Sequence, residues 1–303
     1  VLFAGKLLVK KERNVSKVAI VTDSVACIPE KLLQSLDIHT VAYYIHRGQE
    51  TLRDLVTLKR DEFYTWLPTA TELPKTANPG PNDYLELYEK LALEGIRKII
   101  SIHITSKGSG AYQAAMMAKE EFSNRLSDLQ IEVIDTLNVS MCQGWMAIEA
   151  ARSALEGKSF EDIITQIKQI IPGARMIQMA DTLKYLYMGG RIGKATSLLG
   201  SMLSIKPIVG MEDGIIVPLG KARSRSKAYR VMVDLLEEKV GQMGKIKIAY
   251  VHAAALEEVE NLKAVVDERF QVVEELVTEL TPALGVHTGV GTVGFCYYPI
   301  LNP

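Results

Sequence analysis

Apolar and polar positions along the chain alternate with two periods. Val18-Ala-Ile-Val-Thr22 is a short apolar run that stops at Thr22-Asp23-Ser24, and helical spacing begins near Pro29. Lys98-Ile-Ile-Ser-Ile-His-Ile104 is a second run, followed by a glycine-rich turn and helical spacing from about Ala111. Ile131-Glu-Val-Ile-Asp135 is a third, leading into a helical stretch through Trp145 and Ala154. Strands of this length alternating with helices predict a parallel α/β sheet. Ligands of such sheets bind beyond the carboxyl ends of the strands. The loops at 22–24, 105–110 and 135–140 fall at that edge.

The pattern changes near Pro172-Gly173. A strand is expected over Arg175–Ala180, then a short helix over Thr182–Tyr187 with Asp181 as its cap and Gly189-Gly190 behind it. Ile205–Met211 and Ile215–Leu219 read as a hairpin turned by Glu212-Asp213-Gly214. Helices near Lys227–Val240 and Leu256–Arg269 flank a strand at Lys245–His252, and a last strand covers Thr292–Tyr298. The expected organisation is an extension or expression remnant at 1–16, an N-terminal α/β domain at 17–172, and a C-terminal domain of mixed α+β character at 173–303.

Composition narrows the function classes. The chain has 303 residues, 48% hydrophobic and 23% charged, with a formal net charge of -1. That balance argues against a nucleic-acid surface. No apolar run reaches the roughly 18 residues of a membrane span, so no stable membrane insertion is expected. Cys27, Cys142 and Cys296 are widely spaced among apolar or small neighbours, as free thiols in a reducing, cytoplasmic setting would be. Most basic residues of the first fourteen follow the apolar start rather than precede it, unlike a secretory signal. Five histidines without H-E-x-x-H or a cysteine partner predict no metal site.

Three segments could carry chemistry. Gly285-Val-His-Thr-Gly-Val-Gly-Thr-Val-Gly294 offers amides, a hydroxyl and an imidazole at a strand entrance, which suits an anion. Gly289, Gly291 and Gly294 fit G-x-G-x-x-G, but a strand follows instead of a helix, so the dinucleotide reading fails. Gly189-Gly-Arg-Ile-Gly-Lys-Ala-Thr196 is one residue short of a P-loop, and Ala195 replaces the hydroxyl that would hold Mg²⁺. Arg191 there is either an anion clamp or a surface ion pair. Thr105-Ser-Lys-Gly-Ser-Gly110 and Thr22-Asp23-Ser24 each read equally as a ligand-facing loop or as a helix-entry turn. His287 is either specialised or a hydrogen-bonded structural histidine.

Taken in order, the segments Val21-Thr-Asp-Ser24, Lys75-Thr-Ala-Asn-Pro79, Ser106-Lys-Gly-Ser-Gly-Ala-Tyr112, Val133-Ile-Asp135, Asp181-Thr-Leu, Gly189-Gly-Arg-Ile192, Ile205-Lys-Pro207, Asp213-Gly214 and His287-Thr-Gly289 resemble the DegV family of bacterial fatty-acid-binding proteins. The resemblance runs from about Val18 to Tyr298. It implies two α/β domains, an N-terminal parallel-sheet domain and a C-terminal mixed α+β domain, with one long-chain fatty acid between them. It implies that a separate ATP-dependent fatty-acid kinase phosphorylates the bound carboxylate, the acyl phosphate feeding phospholipid synthesis, with no cofactor and no catalytic residue on the binding subunit. Carried over, the head-group ligands are Thr76, Ser109, Arg191 and His287, with Thr22, Asp23, Ser24, Gly110, Thr288 and Gly289 as possible supports and Arg223 toward the kinase. The chain departs from the family's T-S-Q-P-S at Ala77, Asn78 and Gly80, and from S-G-T-Y at Ala111. An apolar tunnel wall is expected from Ser197–Ile205, which also reads as an ordinary core helix. The rival reading is an enzyme acting on a small phosphorylated or carboxylated metabolite, with His287 as acid/base. A lipid sensor whose partner is not a kinase is a third.

Overall fold

Each of the three apolar runs of the first half becomes a strand of one sheet. The structure, a computed structural model, describes residues 18–123, 128–201, 205–241 and 243–300; the proposed extension at 1–16 lies outside them. In chain order the first half contains β1 (Val18–Asp23), α1 (Glu30–Ser35), β2 (Ile38–Val41), β3 (Tyr44–Arg47), β4 (Glu50–Arg53), α2 (Arg60–Trp66), β5 (Lys75–Ala77), α3 (Pro81–Leu93), β6 (Lys98–His103), α4 (Ala111–Ser123), β7 (Gln130–Asp135), α5 (Met141–Leu155) and α6 (Phe160–Ile170). The second contains β8 (Arg175–Met179), α7 (Lys184–Met188), β9 (Lys206–Glu212), β10 (Ile215–Ala222), α8 (Arg225–Val240), β11 (Lys245–His252), α9 (Leu256–Asp267), β12 (Gln271–Glu279), α10 (Pro282–Thr288) and β13 (Val293–Pro299).

β2-β1-β6-β7 form a parallel sheet, in register Ile20–Ile38, Ile20–Ile100 and Ile100–Glu132. β10-β9-β8-β13-β11-β12 form a mixed sheet in which only β11 and β12 run parallel. This is the two-domain α/β architecture that the sequence implied. The expected hairpin is present, with Asp213 at φ 48° and Gly214 at φ 76° between the paired Glu212 and Ile215. Two positive φ values are what a tight two-residue turn requires. A third, three-stranded sheet β4-β3-β5 carries Thr76 on its edge.

Burial on both faces of both sheets produces five layers. Outside the parallel sheet, α3 and α4 press Tyr84, Tyr88 and Phe122 onto Val21, Ile99 and Val133. Outside the mixed sheet, α8 and α9 press Met232, Leu236 and Leu262 onto Ile177, Ile248 and Phe295. Between the sheets lies α5, with twelve of its fifteen residues buried. Its Trp145 donates to the carbonyl of Cys296 on β13 at 3.2 Å and meets Tyr298 edge-on. The same cluster takes in Ile20 and Ile100 of the parallel sheet, so one core joins both. All three cysteines are free and buried within the fold.

Asp181 does not cap the helix behind it. α7 begins two residues later than expected, with Leu183 at its N-cap, and the Asp181 carboxylate instead accepts from Lys206 and Arg225 at 2.5 and 2.7 Å. Two cations outbid the backbone amides that a capping residue would satisfy.

Candidate functional site

His287 lies on α10, a short helix that the glycine-rich spacing concealed. Pro282 opens this helix with a preset φ. The buried Asp54 carboxylate accepts from the Ala283 amide at 3.1 Å and from the Ser24 hydroxyl at 2.6 Å, tying the helix start to the N-terminal half. Tyr64 donates to the Leu280 carbonyl at 3.0 Å, and Arg60 to the Glu279 carbonyl at 2.9 Å. Gly285 sits so close to Phe63 and Tyr64 that a Cβ there would fall 2.5 Å from the Phe63 ring. The helix is therefore held by α2, and His287 is aimed at β5.

There, His287 Nε2 meets Thr76 Oγ1 at 2.8 Å. Burial, aided by the Arg191 charge, lowers the His287 pKa to about 4, so the ring is neutral near pH 7. Its Nδ1 is buried without a hydrogen-bond partner and faces Gly189. A neutral His287 can offer a donor but not a charge, so any positive charge among the four comes from Arg191.

Ser109 sits at the entrance to α4, where its oxygen accepts from the Ala111 amide at 3.3 Å and shares a 2.5 Å hydrogen bond with Tyr43. The two readings of this loop are thus both occupied, since one hydroxyl is helix cap and cavity wall. Burial lifts the Tyr43 phenol well above its ordinary value, so it keeps its proton. Arg191 follows the α7 C-terminus, exposed, with Nη1 donating to the Gly189 carbonyl at 2.8 Å.

Thr76, Ser109, Arg191, His287 and Thr288 all line one cavity of about 400 Å³, within the ~300–1,000 Å³ range of small-molecule sites. Tyr43, Asn78 and Lys107 join them at its polar side. Val25, Ile104, Val139, Met176, Leu186, Val209, Met211 and Leu284 form the remaining apolar wall. Lys107 belongs to the loop the sequence singled out at 105–110, whereas Tyr43 carried no sequence signal.

Other expected supports lie elsewhere. Thr22 is buried, donating to the Ile102 carbonyl and accepting from Gln143. Asp23 pairs with buried His103 at 3.0 Å, and Ser24 is committed to Asp54. Gly110 packs on Asn78 and Gly289 on the Tyr185 ring, neither lining the cavity. Arg223 is exposed between β10 and α8, away from the lining. Residues 197–200 and 205 of the expected tunnel wall do not line the cavity either; the 3-10 segment Gly193–Ser201 turns Ala195, Leu198 and Leu199 into a satellite core with Leu183 and Val209. Residues 202–204 of that stretch lie outside the described residues. No described helix is long and apolar enough to cross a membrane.

Comparison with known proteins gives this cavity a context. A family model described as "Uncharacterised protein, DegV family" matches residues 17–300. A DegV domain-containing protein of Caldanaerobacter subterraneus is 32% identical over 278 residues, covering 92% of this chain and 97% of that one. Protein DegV of Bacillus subtilis is 31% identical over 281 residues, covering 92% and 98%. Among solved structures, a DegV family protein from Thermus thermophilus described by its fatty-acid binding superposes with a TM-score of 0.87 at 28% identity, over 93% of this chain and 99% of that one. The B. subtilis DegV structure, described as a fatty acid binding protein, gives 0.81 at 30% identity over 93% and 99%. This chain belongs to the DegV family.

Proposed function

We propose that the chain binds one long-chain fatty acid, with the carboxylate at Thr76, Ser109, Arg191 and His287 and the tail along the apolar wall. The observation that carries the reading is one cavity of about 400 Å³ lined by hydroxyl, imidazole and guanidinium groups together with aliphatic side chains. A methylene buried there contributes about 0.8 kcal/mol, so roughly 15 of them offer about 12 kcal/mol before ordering costs. Affinity then comes from the tail and orientation from the head. In this reading His287 Nε2–H donates to Thr76 Oγ1, leaving the threonine proton for the carboxylate, while Ser109 adds a second hydroxyl. Residues on both sides of position 172 supply the lining, which supports a ligand held between the two proposed domains.

The exposure of Arg191 puts the head group at the solvent edge, where a partner can reach it. We assign that partner as an ATP-dependent fatty-acid kinase, with Arg223 at the contact and acyl phosphate passing on toward phospholipid synthesis. Catalysis then resides in the kinase, and the protein acts in the cytoplasm without a cofactor of its own. The apolar wall favours this over a small polar metabolite with His287 as acid/base. Native mass spectrometry of protein purified from bacteria tests the binding: an acyl-chain mass is expected, and its absence from every preparation overturns the reading. Adding the kinase and ATP should phosphorylate the bound acid, more slowly with Ser109→Ala and His287→Ala; unchanged rates in both remove the head-group assignment.

A further inference from the structure

A second cavity, of about 490 Å³, adjoins the first, and the two share Met176 and Met211 in their walls. The backbone explains why they meet there. β8 and β9 pair through Met179–Ile208, Gln178–Val209 and Ile177–Gly210. One further step in that register would set Met176 opposite Met211, but the ladder stops short of it. The sheet therefore parts at the two methionines. Both are buried, at 3% and 7% exposure. Methionine is unbranched with three rotatable bonds, and it adapts to a changing outline better than any β-branched residue. Beyond the pair, the second cavity is lined by Ile177, Leu219 and Leu235 and also by Arg175, Glu212, Asp213 and Lys239, and Leu219 lies over Gly210, where a Cβ would fall 2.5 Å from it.

We propose that Met176 and Met211 form a movable partition that sets acyl-chain capacity. Short tails end against the thioethers within the first cavity. Longer tails turn the two side chains aside and place their terminal carbons in the second. This rests on the fatty-acid reading above and adds to it the site where chain length is read.

The test is binding of saturated fatty acids from C10 to C20 by calorimetry. Wild-type affinity should rise by up to about fourfold per added methylene beyond the length that fills the first cavity. Leu235→Trp, which fills the second cavity without lining the first, should leave C12 binding intact and weaken C18 binding at least tenfold. Leu219→Phe, at a second residue that lines only the second cavity, should show the same selective loss. Unaltered C12 affinity certifies that each variant is folded. Equal losses at all lengths in both variants, or no loss at any length, overturn the partition. A wild-type protein that binds no acid of any length overturns the fatty-acid reading itself.

Discussion

Substituting Gly189 by alanine probes the head-group geometry from behind. Gly189 has φ -76° and ψ -4°, so its backbone accepts a side chain without strain. By reducing the freedom of the unfolded chain, alanine there would stabilise by about 0.4–1 kcal/mol if there were room. There is none: the new Cβ would fall 2.3 Å from His287 Nδ1 and 3.0 Å from the Tyr185 carbonyl. The imidazole must swing away, and overpacking of this kind costs about 1–3 kcal/mol. The net loss of stability should be about 1–2 kcal/mol. Displacing the ring also breaks its 2.8 Å contact with Thr76. A hydrogen bond between two neutral groups is worth about 0.5–1.5 kcal/mol, so palmitate binding should weaken roughly 2- to 12-fold. Calorimetry gives the affinity, and histidine side-chain NMR, with His287→Gln for assignment, reports the ring. Gly200→Ala is the control, because nothing lies within 4 Å of a Cβ there. If Gly189→Ala leaves both the affinity and the His287 resonances unchanged, the Thr76–His287 pair does not hold the head group.

Three further outcomes follow from the geometry. Tyr43→Phe and Ser109→Ala should show a coupling of about 1 kcal/mol in a double-mutant cycle of urea melts, since the two hydroxyls meet at 2.5 Å; additive losses would refute the contact's contribution. His287 and Asp54 should tilt stability in opposite directions with pH. The unfolded chain binds a proton that folded His287 refuses between about pH 4 and 6.5, so this group makes stability rise with pH; burial pushes Asp54 up to about 6 from 3.8, so the folded chain keeps that proton and stability falls as pH rises through the interval. Relative to wild type, His287→Gln should therefore lose stability from pH 4.5 to 6.5 and Asp54→Asn should gain it, and parallel curves would contradict both assignments. Arg152 grips Glu274 through two bonds of 2.7 and 2.6 Å, joining α5 to β12, and the contact holds the Glu274 carboxyl below its ordinary value. Arg152→Met should cost about 1 kcal/mol at low salt and less at 1 M salt; a loss independent of salt would point to packing instead.

Legibility followed the amount of apolar sequence each element carries. β1, β6, β8, β11 and β13 are nearly continuous buried runs, so their existence shows in the hydrophobic pattern. β3 buries only Ile45, and β5 has three residues of which none is fully buried, so neither has a period to read. Yet β5 holds Thr76. α10 hid for a different reason: seven residues with Gly285 inside look like a loop, because the glycine answers to Phe63 and Tyr64 on another helix. Thr76 and His287 lie 211 positions apart, and nothing local to either predicts the other. Their pairing entered through the family resemblance alone. Tyr43 entered through neither, since its role depends on where α4 begins.

The burial of α5 between the two sheets constrains how anything enters or leaves the cavity. A hinge that swung the sheets apart would bring Met141, Trp145, Met146 and Ile148 into water, each at about 1.5–3 kcal/mol. Such clamshell opening would be too rare to serve as a route for routine exchange. Local movement at the rim, where Tyr187 and Met188 of α7 stand exposed next to Arg191, would uncover less core, chiefly Leu186. Exchange should then proceed at the pace of a fraying helix turn rather than that of a domain in motion. Hydrogen exchange in α7 would report it, while the amides of α5 stay closed.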